Sequence, residues 1–273
     1  MPIGKVSILV VTLVGLASML ACKDRDKQQT DGSKAVASTP SPTQQSEGTP
    51  DADDVGEGEE GSAAPAAVAS EQQAPRQIAG KQFVYNFDTD APGQLPSGFH
   101  SAKTGAGTQE KWTVAADTTA PSKPNVVAQT STDQTDYRFP LLISDEDSFQ
   151  DLDLSVKFKA VSGNIDRAGG LVFRLKDPNN YYIVRANALE NNYRLYHVVN
   201  GRRSQFAGAN LKVTSGEWHE LRVEAVGNKI TCYYDGSKKI EATDETFKDA
   251  GKVGVWTKAD SVTSFDDLKV VAK

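Results

Sequence analysis

Short alternating runs of apolar and polar residues follow one another from Lys81 to Lys273. They are rich in Val, Ile, Tyr and Phe and are separated by Gly, Asn and Asp, which is the pattern of an all-β domain. No helical period persists for more than a turn or two. So many short strands in one domain indicate an antiparallel sandwich or a closed barrel. The pattern predicts about twelve strands, at positions 83–87, 112–115, 125–129, 137–142, 151–160, 170–176, 181–187, 192–200, 218–226, 229–235, 251–257 and 264–271.

The most regular of these strands form a hairpin that begins at Trp218. Apolar residues alternate with charged ones as far as a Gly227-Asn228 turn, and they alternate again on the return strand. Cys232 lies on an apolar position of that return strand, so we expect it to be a small buried side chain. If Cys22 is lipidated, no second cysteine is left to form a disulfide with Cys232.

Three longer motifs extend this pattern over the whole domain: FDTDAPGQLPSGF, DRAGGLVFRLKDPNNYYIVRANALENN and GKVGVWTKADSVTSFDDLKV. Together with the hairpin they resemble a family of secreted bacterial concanavalin A-like (laminin-G-like) jelly-roll proteins, which is grouped with the 3-keto-disaccharide hydrolase domains. The resemblance covers residues 83–271. It implies a concanavalin A-like jelly-roll β-sandwich whose concave sheet commonly binds sugars, although function inferred from a fold alone is only analogy.

The first 22 residues have a different character. An almost wholly apolar run over positions 6–21 is shorter than the ~20 residues that a spanning helix needs, and it predicts a secretory signal. Met19-Leu20-Ala21-Cys22 resembles the bacterial lipoprotein cleavage box, which implies a lipidated Cys22 at the mature amino terminus. Lys23 after the cysteine resembles the pattern that is sorted to the outer membrane. An uncleaved anchor and an ordinary cleavage site are the alternatives.

Residues 23–80 consist mainly of Ser, Thr, Pro, Gln, Ala, Gly and acids. Such a segment cannot bury enough apolar surface to offset its ordering entropy, so we predict a disordered tether with a span of about 40 Å. It carries most of the net charge of −6 and leaves the domain, residues 81–273, nearly neutral. No basic patch is interleaved with aromatics, so we do not expect nucleic-acid binding. We expect the protein in the bacterial cell envelope, held by its lipid at the outer membrane or facing the periplasm.

Two arginines interrupt the strands in the middle of the domain, Arg174 and Arg185. A charge within a strand must face water, a partner or a ligand, because burying it unpaired costs several kcal/mol. If the alternate apolar residues point into the sandwich, Arg174, Arg185, Asn187 and Trp256 share an outward face and line one groove. These residue types suit a carbohydrate. The alternative is that Trp256 belongs to the core and that the arginines pair with acids such as Asp166, Asp260 or Asp266.

Signs of catalysis are weaker. The resemblance implies a Gln-Asp-His-Gly loop and a following Phe-Arg-Asn, but the corresponding positions here are 256–260 and 265–267, where the histidine is missing and the arginine is replaced by an aspartate. There is no acid-x-acid-x-x-acid strand like that of the glucanases of this fold and no Gly-x-Ser-x-Gly elbow. We therefore assign no catalytic residue and no cofactor. Asp266 and Asp267 are candidate calcium ligands, with hydrogen bonding at the strand end as the alternative.

The leading hypothesis is a membrane-tethered extracytoplasmic lipoprotein whose β-sandwich binds a glycan or polysaccharide without cleaving it. Two alternatives stay open. One is a divergent glycoside or 3-keto-glycoside hydrolase, and the other is a cell-envelope scaffold that binds a protein through the same sheet. Two carboxylates close together in a pocket would favour the enzyme, whereas a groove of Arg, Trp and Asn without them would favour binding.

Overall fold

A computed structural model describes residues 80–273. The signal peptide, the lipidated Cys22 and the disordered tether lie outside the described residues and stay predictions. Residues 80–273 contain no helix that is long and apolar enough to cross a membrane. Within them the chain folds entirely from strands, turns and loops, as the alternating pattern predicts.

Fifteen strands in this part of the chain form two antiparallel sheets. One sheet has the order β13-β12-β11-β6-β15-β4-β3, with β1 paired to β15, and the other has the order β10-β9-β8-β7-β14-β5-β2. The strand bounds are β1 Gln82–Tyr85, β2 Phe99–Gly105, β3 Trp112–Ala116, β4 Asn125–Gln129, β5 Arg138–Ser144, β6 Leu152–Ser162, β7 Ala168–Asp177, β8 Asn180–Asn187, β9 Asn192–Val199, β10 Arg202–Asn210, β11 His219–Val226, β12 Lys229–Tyr234, β13 Ser237–Thr243, β14 Lys252–Trp256 and β15 Val262–Ala272.

The predicted jelly-roll β-sandwich is confirmed, and the predicted strands are all present within a few residues of their expected ends. The expected number of about twelve was too low, because β2, β10 and β13 were not predicted. All three lie at the edge of a sheet. Edge strands need polar side chains to avoid pairing with other molecules, so they lack the clean apolar alternation by which central strands are found.

The main hydrophobic core lies between the two sheets. Alternate residues of β6, β11, β12 and β15 pack there against alternate residues of β7, β8, β9 and β14. The Gly227-Asn228 hairpin is present as predicted, and Cys232 on its return strand is a free, fully buried cysteine. Burial raises the pKa of its thiol well above the usual range, so its role is that of a small apolar side chain.

A second hydrophobic cluster lies on the other face of the seven-stranded sheet. It is made only of residues of that sheet: Phe139, Leu141, Ile143, Ala168, Val172, Leu175, Tyr181, Ile183, Tyr196, Val198 and Trp256. These side chains are buried because the sheet curls back on itself. Thr104 on β2 donates a hydrogen bond to the Pro178 carbonyl of the β7–β8 turn, and the Tyr137 hydroxyl, just before β5, donates to the Gly201 carbonyl of the β9–β10 turn at 2.7 Å.

Because of this curl, the face that was expected to form an open groove is mostly closed. One edge of the sheet meets turns at the other edge, so the middle of this face is a closed core and only its end reaches solvent. Mouths of such closed or nearly closed sheets are common positions for ligand sites.

Candidate functional site

Arg185 and Trp256 are placed side by side by Gly170. In the sheet register Gly170 lies opposite Arg185 on one neighbouring strand and opposite Trp256 on the other. A Cβ at Gly170 would lie 2.7 Å from the Val184 carbonyl oxygen and 3.1 Å from the Arg185 Cβ. The glycine therefore leaves the space in which these two large side chains share one face of the sheet, as the alternating pattern predicts.

Arg185 is almost fully buried, and side chains satisfy most of its guanidinium. Nη1 donates to Asn192 Oδ1 at 2.6 Å, and Nη2 donates to Glu190 Oε2 at 2.9 Å and to the Tyr196 hydroxyl at 3.0 Å. Asn192 also donates to Glu190, at 2.9 Å, so the three partners are held together. Nε of Arg185 has no hydrogen-bond partner among residues 80–273.

A second carboxylate, Asp166, lies fully buried just before β7. Its Oδ1 accepts a hydrogen bond from Asn187 Nδ2 at 2.8 Å, and its Oδ2 is 3.2 Å from Lys258 Nζ. Lys258 also pairs with Asp136 at 2.6 Å. The loop that carries Asp166 is fixed by Asp260, whose carboxylate accepts the backbone N–H groups of residues 164–166.

Arg203, on the edge strand β10, lies over aromatic rings. Its guanidinium carbon is 4.5 Å from the centre of the Tyr196 ring, 4.7 Å from that of Phe139 and 5.7 Å from that of Trp256. Phe139 and Trp256 stack with their centres 5.3 Å apart. The guanidinium carbon of Arg185 is 5.6 Å from the same Tyr196 ring, so the two arginines border one ring. Cations over aromatic faces are attracted by the ring quadrupole.

We call Arg185, Glu190, Asp166, Lys258 and Arg203, with the rings beneath them, the charged cluster. Arg185 lies on β8, Arg203 is the second residue of β10, and the other three lie in the loops before β7, after β8 and after β14. The cluster reaches solvent mainly through Glu190, whose side chain is 47% exposed, and through Asp136 beside it, which is 73% exposed. It is therefore a partly buried site with an open side.

The two carboxyls of the charged cluster have pKa values displaced in opposite directions. Burial raises the pKa of Asp166, against the opposing effect of Arg185 and Lys258. Burial also acts to raise the pKa of Glu190, but Arg185, Asn192 and Lys258 together outweigh it and leave that pKa below its usual range. Two carboxyls whose pKa values are pushed apart in this way can serve as the general acid and the general base of a reaction.

Arg174 is not part of this site, and the prediction that it lies beside Arg185 is wrong. A β-bulge shifts the register of β7 after Phe173, and Arg174 has a positive φ of 47°. The bulge reverses the alternation, so Leu175 joins the second cluster and Arg174 turns away from it. Arg174 donates to the carbonyls of Gln150, Phe247 and Gly227 and to Asp151.

Two further predicted ligand-binding residues have structural partners. Trp256 is fully buried in the second hydrophobic cluster, which is the alternative that the sequence left open for it. Asn187 shares the face of Arg185, but its amide holds Asp166, and its carbonyl oxygen accepts the Leu189 backbone N–H at 2.8 Å. Asn187 and Trp256 thus contact members of the charged cluster, Asp166 and Arg203 respectively.

Asp266 and Asp267 lie within β15, at its bulge, rather than at the strand end as expected, and Asp266 has backbone hydrogen-bond partners there. Asp266 accepts the backbone N–H of Ser122 at 2.9 Å and of Asp267 at 2.7 Å. The described part of the chain holds no group of three or more His, Cys, Asp or Glu side chains arranged for a metal ion. Burial raises the pKa of Asp266 to about 6.

Residues 91–271 match the model of the 3-keto-alpha-glucoside-1,2-lyase-like domain family. The chain belongs to this family. The match covers more than half of the chain and nearly all of the β-sandwich, so the resemblance seen in the three sequence motifs is confirmed. At the positions that depart from the pattern implied by the resemblance, Lys258 belongs to the charged cluster and Asp266 lies within β15.

Solved structures agree with the fold. The chain resembles the carbohydrate-binding module CBM66 from Bacillus subtilis, with 21% identity, a TM-score of 0.53, and coverage of 64% of this chain and 96% of that one. It also resembles domain 4 of AbnA, a GH43 extracellular arabinanase from Geobacillus stearothermophilus in complex with arabinotriose, with 14% identity, a TM-score of 0.47, and coverage of 71% and 94%. At its identity, the likeness to CBM66 shows the fold alone. No curated protein matches the chain significantly.

Several residues of the charged cluster were not predicted from the sequence. Arg203 was missed because its strand, β10, was missed, although the Asn200-Gly201 turn before it is a typical hairpin signal. Glu190 and Lys258 lie in loops, where alternation carries no information about direction. Asp166 was considered as a partner of the arginines, and its electrostatic interaction with Arg185 agrees with that reading.

Proposed function

We propose that this family member binds a glycan at the charged cluster and does not cleave it. The observation that carries the proposal is the Arg203 guanidinium lying on Tyr196, Phe139 and Trp256 beside the polar groups of Arg185 and Glu190. A planar cation presents a flat surface to a sugar, while guanidinium, amide and carboxylate groups bond its hydroxyls.

Exposed apolar side chains next to the cluster add to this support. Ile165 precedes Asp166 and is 46% exposed, and Leu189 precedes Glu190 and is 41% exposed. A polar site with apolar side chains beside it fits a sugar ring, which has both polar edges and apolar faces. The family and the fold, which is also that of a carbohydrate-binding module, agree with a saccharide ligand.

A glycan array followed by titration calorimetry tests the proposal on the purified full chain. We expect Arg203→Ala to weaken binding of the retained glycan by about tenfold or more, which corresponds to the loss of one charged hydrogen-bonding group. Arg222→Ala is the matched control, because Arg222 lies 4.6 Å from the Tyr233 ring on the other sheet. Retention of no glycan by the wild type, or equal weakening by both variants, would contradict a site at the charged cluster.

A second candidate is cleavage of a glycoside or 3-keto-glycoside, and two observations favour it: the family match and the opposite pKa displacements of Asp166 and Glu190. The test is product release from 3-keto-disaccharides by the wild type, Asp166→Asn and Glu190→Gln. Turnover by the wild type that both variants abolish would replace the binding proposal by an enzymatic one. Absence of turnover with retained binding would leave the binding proposal in place.

We further propose that the domain is tethered to the cell envelope through lipidated Cys22, facing the periplasm or the outer surface. The sequence box around Cys22 and the long acidic segment after it support this proposal. Cys22→Ser should release the protein from membranes and abolish labelling with palmitate. Labelling that is unchanged in Cys22→Ser would end the lipoprotein proposal.

A further inference from the structure

Arg203 differs from the other cations of the charged cluster in having no acidic partner. Arg185 pairs with Glu190 at 2.9 Å, and Lys258 pairs with Asp136 at 2.6 Å. Within residues 80–273, Arg203 forms no ion pair, and its Nη1 is buried with no hydrogen-bond acceptor. Arg203 is therefore the cation of the cluster that has no acid within ion-pair distance among the described residues, and one of its buried donors lacks an acceptor there.

A second unmatched donor belongs to Arg185, which borders the same ring. Arg185 is 4% exposed, and its buried Nε has no acceptor in the described part of the chain. The guanidinium carbons of Arg203 and Arg185 are 4.5 Å and 5.6 Å from the centre of the same Tyr196 ring. Two guanidinium groups thus border one ring, and each keeps an N–H group free of partners.

Unmatched buried donors on a charged group are costly, and native structures rarely keep them without a reason. A group that offers only acceptors and carries a negative charge would match both the charge of Arg203 and its unpaired donor. A planar carboxylate fits best, because two oxygens match the fork of a guanidinium in geometry and charge. A neutral sugar hydroxyl would accept a hydrogen bond but would leave the charge unmatched.

We propose that the glycan bound at the charged cluster contains a uronic acid and that Arg203, flanked by Arg185, receives its carboxylate. This inference rests on the proposed function and narrows its ligand class to acidic glycans. The rings beneath Arg203 hold the guanidinium flat without neutralising it, so the positive charge stays available to the ligand.

The test uses the full chain and three acidic polymers, each paired with its fully methyl-esterified form: polygalacturonate, alginate and hyaluronan. Dextran sulfate serves as a polymer with charge but no carboxylate. Affinity electrophoresis and calorimetry are run on the wild type, Arg203→Ala, Arg203→Lys and the control Arg222→Ala, with thermal unfolding recorded for each. Arg203→Lys keeps the charge without the planar fork, so it remains informative if Arg203→Ala fails to fold.

We expect at least one acid to bind about tenfold or more tightly than its methyl ester. That preference should be lost in Arg203→Ala, reduced in Arg203→Lys and kept in Arg222→Ala. Equal binding of an acid and its ester, or dextran sulfate bound as well as the acids, would overturn the carboxylate inference while glycan binding itself stands. Binding of no glycan, on this panel or on the neutral array, would overturn the proposed function and this inference together.

Discussion

Arg174 and Arg185 are alike in the sequence and in their burial, yet the fold uses them differently. Arg174 is 1% exposed and Arg185 is 4% exposed, and both lie within strands of the seven-stranded sheet. Arg174 donates to three backbone carbonyls and one carboxylate from three separate segments. Arg185 donates to three side chains that lie close to it in sequence, and it keeps one donor free.

The difference teaches how to separate a structural arginine from a functional one. Carbonyls of distant loops are the partners of Arg174, so its guanidinium fixes the ends of those loops and has nothing left to offer a ligand. The partners of Arg185 are side chains at a solvent-facing edge, including a carboxylate that is half exposed. An arginine with unmatched donors, exposed partners and a second cation beside it is the better candidate for binding.

The largest effect is expected at Arg174. Arg174→Ala removes a buried charge from an acid and leaves three carbonyls without their donor, so the free energy of unfolding should fall by about 3–5 kcal/mol. Urea denaturation followed by tryptophan fluorescence measures this loss. Lys176→Ala, two residues along the same strand in an exposed ion pair with Asp249, should stay within about 0.5 kcal/mol of the wild type. A small loss of unfolding free energy in Arg174→Ala would contradict the structural role assigned to Arg174.

Arg185→Lys should affect stability less and binding more. It removes the bonds to Asn192, Glu190 and Tyr196 but keeps the charge, so we expect a cost of about 1.5–3 kcal/mol and a loss of glycan affinity of about tenfold. Denaturation and calorimetry on the same samples give both values. Arg174→Lys is the matched variant, and it should lower stability without changing affinity. The reverse pattern would assign the functional role to Arg174.

Gly170→Ala disturbs Arg185 without removing it. The new Cβ would lie 2.6 Å from Ile183 Cδ1 and 2.7 Å from the Val184 carbonyl oxygen, so the strands must shift, at a cost of about 1–3 kcal/mol. Glycan binding should weaken because the spacing between Arg185 and Trp256 changes. Gly216→Ala, where no atom lies within 4 Å of the new Cβ, controls for the backbone effect of adding a methyl group. Unchanged affinity in Gly170→Ala would show that glycan binding does not depend on the spacing between Arg185 and Trp256.

The smallest expected effect is on the pH dependence of stability. Because the folded-state pKa of Asp166 is raised above 3.8, its contribution is complete below that value and is lost as the pH rises through the folded pKa. Because the folded-state pKa of Glu190 is lowered below 4.5, its contribution is present above that value and is lost as the pH falls through the folded pKa.

Thermal unfolding from about pH 3 to pH 8 tests both groups. Asp166→Asn should reduce the loss that occurs on raising the pH, to which Asp266 also contributes. Glu190→Gln should reduce the loss that occurs on lowering the pH, to which other carboxyls with lowered pKa values, such as Asp153 and Asp260, also contribute. Arg174 lies outside the charged cluster that contains Asp166 and Glu190. Arg174→Lys should therefore leave the shape of the stability profile unchanged. Profiles of identical shape in Asp166→Asn, Glu190→Gln and the wild type would contradict the assigned directions.

The central strands could be predicted from the sequence because one buried face gives strict alternation and two buried faces give a short continuous apolar run. β4 was predicted at its observed bounds, Asn125–Gln129, and the inward positions of β8 and β14 were predicted correctly. The edge strands β2, β10 and β13 were not predicted. Most of their side chains face solvent and give no periodic apolar signal.

For the candidate site, the sequence indicated Arg185 and its nearness to Trp256 but could not provide the rest. Alternation is a local property, and one extra residue in a strand reverses it, which is why the bulge after Phe173 misplaced Arg174. Arg203 reaches the site only through pairing of β10 with β9, and Lys258 only through the loop after β14. The residue pattern of a single segment carries no information about its contacts with distant segments.

By itself the sequence determined that this chain forms a jelly-roll β-sandwich of the 3-keto-alpha-glucoside-1,2-lyase-like family, because apolar alternation and turn residues specify strands and hairpins through local chemistry. Only the tertiary structure decided that the outer face of the seven-stranded sheet closes on itself, that Trp256 is core, and that Arg185 and Arg203 border one ring. The reason is physical: sheet curl and bulge position depend on contacts between residues far apart in the chain, and these contacts fix which charges become neighbours.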